Sequence, residues 1–351
     1  MKSIMIGDSE ILDKEVAMRF QLDVHDLVNR GLVTRKYDEA TGLYVLKYKN
    51  SVFFNNLWGV DDRLLECRGT VVDEDYNVIS RPFTKVFNYK ENGTNLDAYT
   101  HVMATRKVNG FLGVLTAYKG EPLFSTTGSL SGKYVDLARD VITKQLGGEQ
   151  RVRDFLLHER TRSVMSAKNS SPEDMMGEFT YMFEICSPDD PHIVYEHPGA
   201  YLIGARRNYI TKLSENLLSE YALDILAERW GFLRPVTYKM MFVDVLDMIK
   251  THTRDRAEIE GYMIRMDKMH PTNYHVMKIK TPLYLAKKFV MRGGNKKWDL
   301  LWAHPEVARQ HVDEEFYSLI DYLHDEWKKE DWIALGERER RSVVEDFFMN
   351  D

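Results

Sequence analysis

Only two cysteines, Cys67 and Cys186, occur in 351 residues. Two thiols cannot build a disulfide framework or a four-ligand zinc site, and so low a count favours a reducing compartment. The 11 histidines never fall at HxxxH or HExxH spacing, which disfavours a zinc hydrolase. No uncharged apolar run approaches the roughly 18 residues of a membrane span. The opening MKSIMIGDSE places a Lys and an Asp before any apolar stretch of signal-peptide length. No internal repeat and no low-complexity segment is visible. These absences lead us to expect a soluble, cytoplasmic protein without a membrane partner. The balance of 48 Lys and Arg against 54 Asp and Glu gives a net charge of −6. Binding to nucleic acid therefore requires a local concentration of positive charge. Hydrophobic residues at 44% and charged residues at 29% suit a globular core and exclude collagen, coiled coil and bulk disorder. The length suggests roughly two domains.

The first hundred residues read as short strands and turns. GLYVLKY (42–48) is apolar and aromatic, and 68–83 reads as a hairpin around Asp73–Asn77. Residues 101–127 suggest a meander, with HVMATRK, FLGVLTAY and LFSTT as its strands. Apolar residues at helical spacing between Ser131 and Leu146 predict a helix stopped by Gly147–Gly148. A second helix is expected over 151–166 and a loop over 168–174. Strands follow at 178–186, 192–196 and 200–206, then a helix from Ser214 to Trp230. EGYMIRM (260–266) and YHVMKIK (274–280) are the last clear strands. Beyond Pro282 the apolar residues keep a helical period. The expected architecture is α+β, with an antiparallel-sheet domain over 1–282 and a small all-α domain over 283–351.

GSLSGKY (128–134) superficially suggests a phosphate loop, but it has three residues between its glycines instead of four, and Tyr follows Lys133. The start of a helix is the better reading. Gly293–Gly294 before Lys296–Lys297 suits a flexible loop better than an anion nest. A more coherent set begins at Lys107-Val-Asn-Gly110, where an amine stands beside a tight turn that a phosphate can approach. Alone, this pattern also fits a solvated lysine before a hairpin. Glu184 in MFEIC points opposite to Phe183 and Ile185 by strand alternation, and a carboxylate on an apolar strand needs a partner, a cation or a metal. Glu260 stands next to a glycine that allows close approach. Lys278 and Lys280 are two apart and face one way. They either flank an anion or point outward from an exposed edge strand.

These residues together resemble the T-even phage RNA ligase 1 family, within the covalent nucleotidyltransferases that include DNA ligases and capping enzymes. LECRG (65–69) with SRPFTKVFN (80–88), KVNG (107–110), FEI (183–185), EGYM (260–263) and KIK (278–280) occur in the family's order. The first pair is specific to RNA ligases of this type. The others are shared across the superfamily.

The resemblance implies an ATP-dependent RNA ligase with a nucleotidyltransferase fold. Lys107 is then the nucleophile that takes AMP from ATP, passes it to an RNA 5′-phosphate, and leaves a 3′-hydroxyl to seal the strand. Lys278 and Lys280, with Mg²⁺ or Mn²⁺, are expected to disfavour the Lys107 ammonium and to stabilise the transition state. Arg68 and Lys85 would hold the outer phosphates. Glu184 and Glu260 would bind the metal or the ribose. Tyr48 and Phe87 would contact the nucleotide, and Gly110 would lie close to it. Two positions depart from the family: Asn109 replaces an Asp, and Thr127 stands where a Lys is usual. The resemblance further implies RNA ends as partner, a broken tRNA loop as one such substrate, a phage-infected cell as the setting and a monomer as the working unit. Competing readings are a DNA ligase or capping-type enzyme, and an inactive RNA-binding relative. A DNA ligase or capping enzyme normally carries a β-barrel after the KIK-type strand, and 283–351 reads as helices instead. Lys287, Lys288, Arg292, Lys296 and Lys297 are expected to form a basic patch that tunes RNA engagement, in a region dispensable for self-adenylylation.

Overall fold

Asp73 organises the first clear hairpin. Its carboxylate accepts the backbone N–H groups of Asp75 and Asn77 at 2.9 Å and the Asn77 side-chain amide at 2.8 Å, so the acid closes the turn. The computed structural model describes residues 21–163, 179–208, 217–266 and 275–350. The expected 168–174 loop and the opening segment lie outside these. The strands are β1 Val33–Asp38, β2 Leu43–Tyr48, β3 Arg68–Val72, β4 Val78–Ser80, β5 His101–Arg106, β6 Phe111–Tyr118, β7 Glu121–Ser125, β8 Phe179–Cys186, β9 Gly199–Arg207, β10 Thr237–Met241, β11 Gly261–Met266 and β12 His275–Lys280. Among the described residues they form three antiparallel sheets, ordered β1-β2-β3-β4, β10-β5-β11-β12 and β7-β6-β8-β9.

The expected 101–127 meander is broken. β5 pairs with β10 and β11, whereas β6 pairs with β7 and β8. Lys107–Gly110 is therefore a crossover between two sheets and not a hairpin turn. The third sheet buries Phe183, Ile185, Leu115 and Leu202 against the helices Lys133–Leu146, Glu149–Ser163 and Glu220–Trp230. The helix Phe242–Arg254 covers the second sheet through Phe242 and Val245.

Two further expectations fail locally. Residues 192–196 form no strand; Ile193 and Val194 instead enter the core of the C-terminal helices, beside Tyr284, Phe289 and Trp298. The helix expected from Ser214 begins at Glu220. Ser219 caps it by accepting the Ala222 N–H at 3.2 Å. Leu217 and Leu218 hydrogen-bond along β9. Past β12 the described residues are helical, as expected. Thr281 caps the first helix, Pro282–Arg292, with Pro at its start.

Candidate active site

Strand register assembles the centre. β11 pairs with β5 so that Tyr262 lies opposite Arg106, and the Lys107 N–H continues the ladder to Gly261 O at 2.8 Å. β12 places Lys280 opposite Gly261 and Lys278 opposite Met263. Gly261 has φ +144, and a Cβ there would lie 1.9 Å from Ile279 O. Only glycine permits this approach, and it brings Glu260 between two lysines. Lys107 Nζ donates to Glu260 Oε2 at 2.8 Å, and Lys280 Nζ lies 2.9 Å from Oε1. Asn109 Nδ2 also donates to Oε2, at 2.8 Å.

The other sheet supplies Glu184. β6 and β8 set Leu112 opposite Glu184, and the Gly110 N–H donates to Glu184 Oε1 at 3.0 Å. Phe183 and Ile185 are fully buried, so strand alternation reads this carboxylate correctly. Gly110 serves backbone packing and not a turn, since a Cβ there would lie 2.3 Å from Ile185 O.

Between the sheets lies a cavity of about 350 Å³, lined among others by Arg68, Lys107, Gly110, Thr127, Glu184 and Lys278. That volume lies within the range of ligand pockets. Lys85 does not line the cavity; it is largely buried, its Nζ 3.7 Å from Glu91, and its charge acts on Lys278. Lys278 donates to Val86 O at 3.0 Å and faces inward. β12 is an edge strand, as the second alternative held, but residues 87–89 cover that edge through Lys278 N–H to Phe87 O and Tyr89 N–H to Lys278 O, both 2.9 Å.

Burial and the nearby Lys85 and Arg68 lower the Lys278 pKa to about 7. Burial and the Glu260 charge raise Glu184, with Lys107 opposing. Glu260 is buried, yet Lys107 and Lys280 outweigh that burial and hold it at about 2. Burial likewise disfavours the Lys107 ammonium, but Glu260 and Glu184 outweigh it and raise the Lys107 pKa above its ordinary value. These two carboxylates act on Lys107 against the expected push of Lys278, Lys280 and a divalent cation. Lys280 is engaged by Glu260, and the lysine that readily loses its charge is Lys278.

Two expected nucleotide contacts lie elsewhere. Phe87 is buried against Trp58, with ring centroids 5.4 Å apart. Tyr48 packs edge-on against the same indole at 4.8 Å. Neither lines the cavity. The basic patch past Pro282 is not continuous. Lys287 is buried and paired with Glu258 at 2.5 Å, and Arg292 pairs with Glu337.

Other residues of the site escaped sequence reasoning. Glu196 accepts the Arg106 guanidinium at 2.9 Å and the Asn109 N–H at 3.2 Å. The Val194 N–H donates to Asn109 Oδ1 at 2.9 Å. Tyr284 carries Lys280 Nζ 4.7 Å over its ring. In LECRG, Glu66 accepts Arg81 at 2.7 and 3.0 Å and Arg206 at 3.0 Å. This buried triad fastens the first sheet to β9, a structural task for the block most specific to the resembling family.

Among the described residues no group of three or more His, Cys, Asp or Glu converges as a metal cage. The donor set suits a cation that keeps several waters and uses one or two carboxylates with substrate phosphates, as Mg²⁺ does. Glu184, with only one oxygen engaged by Gly110, fits that role better than Glu260, which three donors already hold.

The RNA ligase family model matches residues 66–284, well over half of the chain. No curated protein matches the chain in sequence. Its fold is similar to that of an archaeal ATP-dependent RNA ligase, with a TM-score of 0.51 at 14% identity, covering 91% of this chain and 74% of that one. A putative ATP-dependent DNA ligase from Aquifex aeolicus is similar as well, with a TM-score of 0.50 at 14% identity, covering 86% of this chain and 71% of that one. These likenesses bear on the fold and agree with the expected α+β, antiparallel-sheet architecture.

Proposed function

The chain belongs to the RNA ligase family, and on that premise we propose that it joins RNA 5′-phosphate and 3′-hydroxyl ends with ATP, through a lysyl-AMP and an RNA-adenylate. The observation that carries this reading is the cavity itself, where the Lys107 amine faces the same space as Arg68, Glu184 and Lys278.

Lys107 Nζ gives one ammonium proton to water, attacks the α-phosphorus of ATP and loses a second proton to water as the N–P bond forms, while the bond to the bridging oxygen breaks and pyrophosphate leaves. Arg68 receives the outer phosphates through its fork of donors. Lys278 stabilises charge on the α-phosphate. Glu260 holds Lys107 and Lys280 in place until the nucleotide arrives. Glu184 would hold Mg²⁺, which supplies further positive charge against the phosphates. An oxygen of the RNA 5′-phosphate then attacks the same phosphorus, and Lys107 leaves and is reprotonated. Finally the 3′-hydroxyl attacks the activated 5′-phosphate, expelling AMP. The reading extends to breaks in structured RNA such as a tRNA loop, in the cytoplasm of a phage-infected cell.

The test is a single-turnover assay with a 5′-labelled, 5′-phosphorylated RNA, ATP and Mg²⁺. The expected result is transient adenylylated RNA followed by joined RNA. Joining of DNA nicks alone, or binding of RNA without any adenylylated species, contradicts the reading.

A further inference from the structure

Phe53 and Phe54 end the short helix Asn50–Phe54 and are 47% and 77% exposed. Among the described residues they are the only exposed phenylalanines. Phenyl rings have no polar edge to satisfy in water, and here two stand together, 5.5 Å apart and edge to face. Such a pair on a surface marks an interaction site more readily than a scattered residue does.

What lies beside them identifies the partner. Lys85 Nζ is 5.5 Å from the Phe53 ring. The same ammonium is a close electrostatic neighbour of Arg68 and Lys278, both of which line the central cavity. The Lys85 side chain is itself only 7% exposed and paired with Glu91, so it backs the Phe53 ring from within and leaves Phe54 as the more open ring. Lys47 and Lys49, both exposed, precede the helix. Cations tracking a phosphate backbone with aromatic rings set beside them form the pattern that binds single-stranded nucleic acid. An apolar protein partner has no use for the exposed Lys47 and Lys49.

We propose that Phe53 and Phe54 are a base-stacking platform for a single-stranded RNA end whose phosphates are drawn by the exposed Lys47 and Lys49 that precede the helix. The proposal rests on the RNA ligase reading and names the surface that receives RNA.

The test uses the full-length protein and its Phe54→Ala, Phe53→Ala/Phe54→Ala and Phe54→Trp variants. AMP transfer to the protein is measured without RNA. Binding is measured by anisotropy with a 5′-phosphorylated single-stranded 12-mer and with an abasic strand of equal length. The alanine variants are expected to keep AMP transfer within about twofold. They should bind the 12-mer roughly tenfold to a hundredfold more weakly, the range for losing one stacked base. Phe54→Trp should restore binding. The abasic strand should bind wild type as weakly as the 12-mer binds the double variant. Unchanged 12-mer binding by the double variant overturns the proposal, as does wild-type binding of the abasic strand at full strength. So does self-association of wild type, seen by sedimentation and lost in the double variant, when RNA binding is unaltered. Failure of the wild-type protein to take AMP at all strikes the RNA ligase reading instead, and is distinguished by that separate measurement.

Discussion

Asn109 Nδ2 donates to Glu260 Oε2 at 2.8 Å, and the same oxygen receives Lys107 Nζ at 2.8 Å. Asn109 thus serves here as a neutral donor to Glu260. An amide holds Glu260 in place, whereas a carboxylate at that distance would repel it. Asn109 Oδ1 is in turn fixed by the Val194 N–H.

Asn109→Asp therefore creates two carboxylates in hydrogen-bond contact, and one of them retains a proton to higher pH. The acid limb of the kcat/KM profile for self-adenylylation should move upward in pH relative to wild type. Asn109→Ala should slow the step by roughly tenfold, about the loss of one charge-assisted hydrogen bond, without moving the limb. Coincident wild-type and Asn109→Asp profiles contradict this account.

Lys278 gives a second pH dependence. Its folded pKa is lowered to about 7, so its charge is present below that pH and fades above it. Bound phosphate favours the ammonium and raises the pKa. ATP binding near pH 8 should therefore take up protons and weaken as pH rises further. Calorimetry in buffers of different ionisation enthalpy measures the uptake, which Lys278→Met should abolish. Proton-neutral binding by wild type contradicts the assignment.

Glu66 offers a stability test. Buried but held by Arg206 and Arg81, it has a pKa of about 2, against an ordinary 4.5. Its folded value is depressed, so its stabilisation is full above the unfolded pKa and is lost as pH falls through about 2. Glu66→Gln leaves two buried arginines without their carboxylate and should cost about 3–5 kcal/mol at pH 7, read by urea denaturation. The gap from wild type should narrow from pH 4.5 downward. A constant gap between pH 7 and 3 contradicts the triad's role.

The helical region bears on the nucleophile more directly than its sequence suggested. Ile193 and Val194 share its core, and Tyr284 lies under Lys280. A chain ending at residue 281 should retain β-rich circular dichroism yet adenylylate itself at least tenfold more slowly, about the loss expected when a transition-state contact is misplaced. Full-rate adenylylation by the truncated protein contradicts this coupling.

Much of the centre was legible because its residues are chemically costly where they stand. Glu184 on an apolar strand and Lys278 with Lys280 on one strand face demanded partners, and the structure gathers them with Lys107 and Glu260. Aromatic residues carry no such demand. Tyr48 and Phe87 pack on Trp58, and composition cannot separate that from a nucleotide contact. The crossover at Lys107–Gly110 was invisible because two short strands joined by four residues look alike whether they pair or part. Residues 192–196 have strand-like composition, yet the Val194 N–H answers to Asn109 and the Ile193 and Val194 side chains to helices about a hundred residues later in the chain. Periodicity within a segment cannot report such distant partners.

The central claim is that Lys107 carries AMP. Mass spectrometry of the intact protein and its peptides after incubation with ATP and Mg²⁺ tests it most directly. The account predicts one adenylyl group per chain, on the peptide containing Lys107, acid-labile as a phosphoramidate, and absent from a folded Lys107→Ala variant. An adenylyl group on any other residue, or one that persists in Lys107→Ala, would contradict it.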